Sequence, residues 1–203
     1  IGLPAYAAAG IASCHESTTK EDALARMRLG MYAKMREGSA WHDVKQTVRA
    51  ITENRIDSRY AILFTDDVHP HTLRELGHLD HVVRQAIRQG VDPLTAVQMV
   101  TLNTAQCFRV DRHLGSISPG RCADINFISD LAEVRVDKVM VDGKIVAENG
   151  HMVTELPSYT YPGEARHSVH LTEKLSPQHF VIKAPVGVST VKAHVMEIRE
   201  AHV

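Results

Sequence analysis

The sequence predicts an α/β protein built on parallel strands, and three observations carry that prediction. Short apolar runs alternate with helical patterns between residues 11 and 65. Each run delivers polar or ionisable residues at its end: His15-Glu16, then Arg36-Glu37-Gly38-Ser39, then Asp66-Asp67. From Leu114 the pattern changes to turns and two-residue alternation, which marks a small separate β unit.

Residues 5–9 are a stub of small helix formers stopped by Gly10, and residues 11–14 read as a buried strand. Thr18-x-x-Glu21 has the spacing of a capping box, so a helix begins near Lys20 and runs to Leu29, with Ala23, Leu24 and Met27 on one face. Gly30 breaks that run, which makes residues 31–36 a strand. A helix follows over 42–53, with Val44, Val48 and Ile51 at i, i+4 and i+7, and then a strand over 60–65.

After Asp66-Asp67 a loop containing Pro70 leads to a strongly patterned helix. Its Leu79, Val82, Val83, Ala86 and Ile87 form one stripe, and Gly90 ends it. Asp92-Pro93 is an N-cap with proline at the first helical position, giving a helix over 93–102 that Asn103 terminates. Runs 136–141 and 144–147 flank Asp142-Gly143, a hairpin signal, and Asn149-Gly150 marks a second turn. The tail reads as loop over 155–172, with β-like runs at 180–184 and 191–198. The expected division is therefore 1–110, 111–160 and 161–203.

Net charge is −1 over 203 residues, which removes the electrostatic argument for a nucleic-acid or membrane-surface partner. No apolar run approaches the ~20 residues of a membrane span. Cys14, Cys107 and Cys122 are odd in number and form no CxxC pair, as expected of free thiols in a reducing cytoplasm. The chain opens on Ile1-Gly2-Leu3-Pro4, already inside a patterned run, and is expected to be a fragment or processed piece.

Chemistry is expected at the strand ends, where loops present polar groups on a rigid scaffold. His15 is a candidate metal ligand or base, or a hydrogen-bonded loop residue. Glu16 is expected to point elsewhere along an extended backbone and to serve a different role, or to be a carboxylate favoured at a helix start. Asp66 and Asp67 repel each other unless a cation or donors compensate, although Asp67 also suits a turn cap. Arg36, Glu37 and Ser39 share the strand-end position and are candidate substrate contacts, the alternative for Arg36 being a solvent ion pair. His69-Pro70-His71, in the loop after Asp67, is a candidate to overhang a pocket or else a pair of exposed loop histidines. His78 and His81 have a metal-compatible spacing but no third ligand at a matching offset, so they read as the polar start of an amphipathic helix.

Five segments in order, AAAGIASCHESTTKEDALARMRLGMYAKMREGSAW, FTDDVHP, GHLDHVVRQAIRQGVDPLTAVQMVTLNTAQCF, LGSISPGRCADINFI and VDKVMVDGKIV, resemble the C-terminal part of bacterial-type adenine deaminases, in the amidohydrolase superfamily. The resemblance covers about residues 1–155 strongly and the tail more weakly. It implies the C-terminal portion of a distorted (β/α)8 TIM-like metal-dependent barrel with a small β-sandwich-like unit. It also implies hydrolysis of adenine to hypoxanthine and ammonia, one or two Mn2+ or Fe2+ ions, and a homodimer. By motif, His15 resembles the metal-site histidine of barrel strand 6, and Asp66 the strand-8 aspartate that binds metal, takes a proton from the attacking water, or both. Glu16 then protonates or contacts the purine, with Arg36, Glu37, Ser39, Asp67 and His69 on the substrate side. Two departures stand out: Cys14 occupies a position where the family usually has Asp, and the superfamily's His-x-His, strand-4 carboxylate and strand-5 His are absent. The 203 residues alone are therefore expected neither to bind metal tightly nor to turn over. Another amidohydrolase acting on a different heterocyclic C–N bond, or a non-catalytic barrel kept as an assembly partner, are the alternatives.

Overall fold

The computed structural model describes residues 2–196. They fall into two compact units, one ending at Thr154 and one beginning at Glu155.

The first unit opens with α1 (Leu3–Ala8), β1 (Ser13–Cys14), α2 (Lys20–Arg28), β2 (Tyr32–Arg36), α3 (Val44–Thr47), α4 (Arg49–Thr52) and β3 (Ala61–Phe64). All three strands are parallel in the order β1-β2-β3, with Cys14 opposite Ala33 and Arg36 opposite Phe64. Parallel neighbours need a crossover, and α2 and then α3–α4 supply the two. Because the register aligns the carboxyl ends, the residues just after each strand share one edge of the sheet.

Further helices follow: α5 (Pro70–Glu75), α6 (Leu79–Arg88), α7 (Pro93–Val100) and α8 (Leu102–Cys107). One buried cluster joins Ala33 and Met35 of β2 and Ala61 and Leu63 of β3 to the helices. Leu24 and Met27 of α2, Val82 and Ala86 of α6, and Ala96 and Met99 of α7 complete it. Strand alternation places Tyr32, Lys34 and Arg36 on the opposite face of β2.

The expected stripe of α6 is the buried one, with Val82, Val83 and Ala86 enclosed. Asp92 caps α7 as the sequence indicates, its side chain accepting from the Thr95 amide. Other boundaries differ. Thr19 rather than Thr18 caps α2, accepting from the Asp22 amide while its hydroxyl donates to the Asp22 carboxylate. The single helix expected over 42–53 is two short ones hinged at Val48. The loop after Asp67 contains α5, because Pro70 sits at a first helical turn where its missing N–H costs nothing. Asn103 does not end a helix but lies inside α8, where its amide donates to the Ser58 and Ala61 carbonyls.

A four-stranded antiparallel meander completes this unit: β4 (Ile125–Asp130), β5 (Arg135–Val141), β6 (Lys144–Glu148) and β7 (His151–Met152). Asp142 and Gly143 both have positive φ, as do Asn149 and Gly150, the conformation of two-residue type I′ hairpin turns. Among the described residues this is one sheet, not the two facing layers of a sandwich. The turn between β4 and β5 is tied to α6 by Arg84 and Arg88, which donate to the Glu133 carbonyl and carboxylate.

The second unit carries α9 (Gly163–Arg166) and a 3-10 turn (Pro177–Phe180). No strand forms over 180–184 or over 191–196, where apolar side chains find no sheet partner. The rest of the run expected over 191–198 lies outside the described residues.

Candidate functional site

Three strand ends supply the site. β1 delivers His15 and Glu16, β2 delivers Arg36, and β3 delivers Asp66 two residues after its last paired position. Asp66 adopts φ 61, a left-handed conformation that Asp tolerates better than bulkier residues.

The guanidinium of Arg36 is the hub. It is 2% exposed, and its Nε donates to Asp43 Oδ2 at 2.6 Å. Its Nη1 donates to Glu16 Oε2 at 3.1 Å and to Asp66 Oδ2 at 3.2 Å. The Trp41 ring lies 5.0 Å from its central carbon, a cation–π contact. Burial alone would disfavour its charge, but the Asp43 hydrogen bond and the surrounding carboxylates outweigh that and raise its pKa. Nη2 is buried with no acceptor among the described residues.

His15 reaches Glu16 after all, with Nε2 2.9 Å from Oε1. The expectation that the two diverge fails because Glu16 bends back across the strand end to bridge His15 and Arg36. Both remain open to solvent, as does much of Asp66, so the row His15–Glu16–Arg36–Asp66 has one buried member and three accessible ones.

The loops behind this row are tightly tied. Asp67 accepts from the Ala40 amide through Oδ2, and its carbonyl accepts from the Ser39 amide. Ser39 Oγ accepts from the His69 amide and donates to Thr72. Glu37 turns to His42, whose Nδ1 lies 2.9 Å from Oε1. Burial raises the Glu37 pKa, with the His42 and Val44 hydrogen bonds opposing it. Glu37, His42, Gln85 and Gln89 line a polar cavity of about 390 Å³ that includes neither His15 nor Asp66. A larger apolar cavity of about 550 Å³ lies against α6–α8 and β4, lined by Val97, Phe108 and Ile128, and holds none of the strand-end residues.

His78 is the N-cap of α6 and His81 lies in its first turn. Desolvation lowers the His81 pKa, and Arg84 adds to this. Sequence reasoning missed Asp43 and Trp41. Asp43 reads as a helix start, and nothing local signals that β2 will point an arginine at it. Among the described residues all three cysteines are free, and no helix is long and apolar enough to cross a membrane.

A divalent metal was expected here. His15 nitrogen and Asp66 oxygen are suitable donor types, and three carboxylates around one guanidinium leave an excess of negative charge that a cation would offset. The residues therefore fit as part of a ligand set. They do not complete one: among the described residues no group of three His, Cys, Asp or Glu is placed to hold an ion.

Residues 5–146 match the amidohydrolase family. The chain is 60% identical over 202 residues to the adenine deaminase of Moorella thermoacetica, covering 100% of this chain and 34% of that protein. It is 52% identical to the adenine deaminase of Rubrobacter xylanophilus, covering 99% and 33%. It thus spans about a third of the length of the curated relatives it matches. Among solved structures, β-aspartyl dipeptidase of Fervidobacterium islandicum AW-1 superposes with a TM-score of 0.54 at 15% identity, covering 71% of this chain and 41% of that one. That similarity is one of fold.

Proposed function

The chain belongs to the amidohydrolase family, and on that premise we propose that it forms part of an enzyme that deaminates adenine hydrolytically. The observation that carries the reading is the junction of His15, Glu16 and Asp66 around Arg36 at the carboxyl ends of parallel strands. The high identity to adenine deaminases supports the choice of substrate. In this reading β1–β3 are an arc of a distorted (β/α)8 barrel, and the remaining metal ligands come from a longer polypeptide. The assembled enzyme is a cytoplasmic homodimer in purine metabolism.

His15 and Asp66 would hold a divalent ion, manganese or iron, which when bound would supply a water with a pKa lowered to about 7. Asp66, partly exposed and hydrogen-bonded to Arg36, takes the proton from the water that attacks C6 of adenine. Glu16, beside His15 and open to solvent, donates a proton to the purine ring as C6 becomes tetrahedral. Asp66 then gives its proton to the C6 amino group, the C6–N bond breaks as the C6 hydroxyl becomes a carbonyl and passes its proton to Glu16, and ammonia departs to leave hypoxanthine. Ser39, Asp67 and His69 shape the substrate side through the loop bonds that join them. Glu37, engaged by His42, supports that loop from behind.

The test is ultraviolet-monitored conversion of adenine by the manganese-loaded protein at its relatives' full length, with His15→Ala and Asp66→Asn alongside. Conversion by wild type and a loss of at least about 100-fold in both variants is expected. A wild type that binds metal yet leaves adenine unchanged overturns the substrate and points to another heterocyclic C–N bond. One that does neither points to an assembly role.

A further inference from the structure

Arg36 was expected to touch substrate, but its surroundings give it other work. The side chain is 2% exposed, and Asp43, equally buried, holds Nε at 2.6 Å. Trp41 covers the guanidinium. These two contacts fix the plane of the fork from behind, before either strand-end carboxylate is considered. The front nitrogen, Nη1, then donates to one oxygen of Glu16 and one of Asp66. Those residues come from different strand ends and have no other bond to each other among the described residues. Two oxygens on one nitrogen cannot stand farther apart than the sum of the two bonds.

We propose that Arg36 is a positioning residue, anchored by Asp43, that gathers the Glu16 and Asp66 carboxylates onto a single guanidinium nitrogen and so sets the distance between the two proton carriers. This rests on the roles proposed above for Glu16 and Asp66. Asp43 touches neither carboxylate, so whatever it contributes reaches them through Arg36. Lysine cannot replace the fork, because an ammonium is a point donor and cannot bond Asp43 behind and two carboxylates in front in one fixed plane.

The experiment uses the full-length, metal-loaded enzyme with Asp43→Asn, Arg36→Lys and the double variant. A displacement of about an ångström at reacting groups costs on the order of 100-fold. Asp43→Asn is therefore expected to lower kcat by about that factor with KM and bound metal unchanged, and the double variant to fall no further than Arg36→Lys. A crystal structure of Asp43→Asn should show Glu16 and Asp66 no longer sharing a nitrogen. A loss carried by KM would make Arg36 a substrate contact and overturn the proposal, as would wild-type kcat in Asp43→Asn. If circular dichroism shows Asp43→Asn unfolded, Arg36→Lys decides: wild-type kcat there overturns the proposal, and a loss confined to kcat supports it. If wild type is inert to adenine, the functional reading fails separately. The Asp43→Asn structure then decides the inference, shared bonds refuting it and separated carboxylates supporting it.

Discussion

At Gly38 the chain passes the loop after β3 so closely that a Cβ would stand 2.5 Å from the Asp67 carbonyl oxygen and Oδ1, and 2.6 Å from the Thr65 carbonyl. Oxygens held by backbone cannot move aside cheaply, so Gly38→Ala should cost about 1–3 kcal/mol. A urea denaturation midpoint equal to wild type would contradict that close approach. Glu37, one residue earlier, makes a prediction in pH. Burial lifts its folded pKa above the unfolded value, so the folded state holds the proton more tightly. The resulting stability is present below the unfolded carboxylate range and is lost as pH rises through the folded pKa. Glu37→Gln should remove that slope and gain on wild type as pH rises above the unfolded carboxylate range in thermal melts. A parallel pair of curves would show that Glu37 is not penalised by burial.

At the scale of elements, caps and long-range bonds behave differently. The Asp92 cap on α7 spans three residues, and its loss in Asp92→Ala should cost about 1 kcal/mol, read as a lower melting temperature. Such a cap is legible because every atom it needs lies in one short window. Asn103 was misread for the opposite reason. Near the end of an apolar run asparagine usually stops a helix, but here its amide donates to carbonyls 45 and 42 residues upstream, at Ser58 and Ala61. Those bonds close the entry to β3 against α8. Asn103→Leu should strand two carbonyls at a cost of about 1–3 kcal/mol, and a smaller loss than Asp92→Ala would argue against that closure. The tail was misread too, because apolar runs at 180–184 and 191–198 have strand composition but no paired strand among the described residues.

For the whole molecule, the decisive quantity is how many metal donors converge. Donors of suitable type are present at His15 and Asp66, yet no group of three forms among the described residues. Calorimetric titration of this chain with Mn2+ should therefore show no tight, stoichiometric binding. Tight binding, or adenine turnover by the chain alone, would mean that the ligand set is complete within it.

The sequence by itself determined the alternation of strands and helices, the stripe of α6, the two hairpin turns and the positions of His15, Glu16, Arg36 and Asp66 at strand ends. Each of these follows from residues near one another in the chain, through periodicity, turn conformation or capping. Only the tertiary structure decided that Glu16 bends to meet both His15 and Arg36, and that Asp43 and Trp41 stand behind the guanidinium. These pairings depend on the register that sets Arg36 beside Phe64 across two parallel strands. They also depend on burial, which leaves a guanidinium dependent on whichever carboxylates the fold brings within reach.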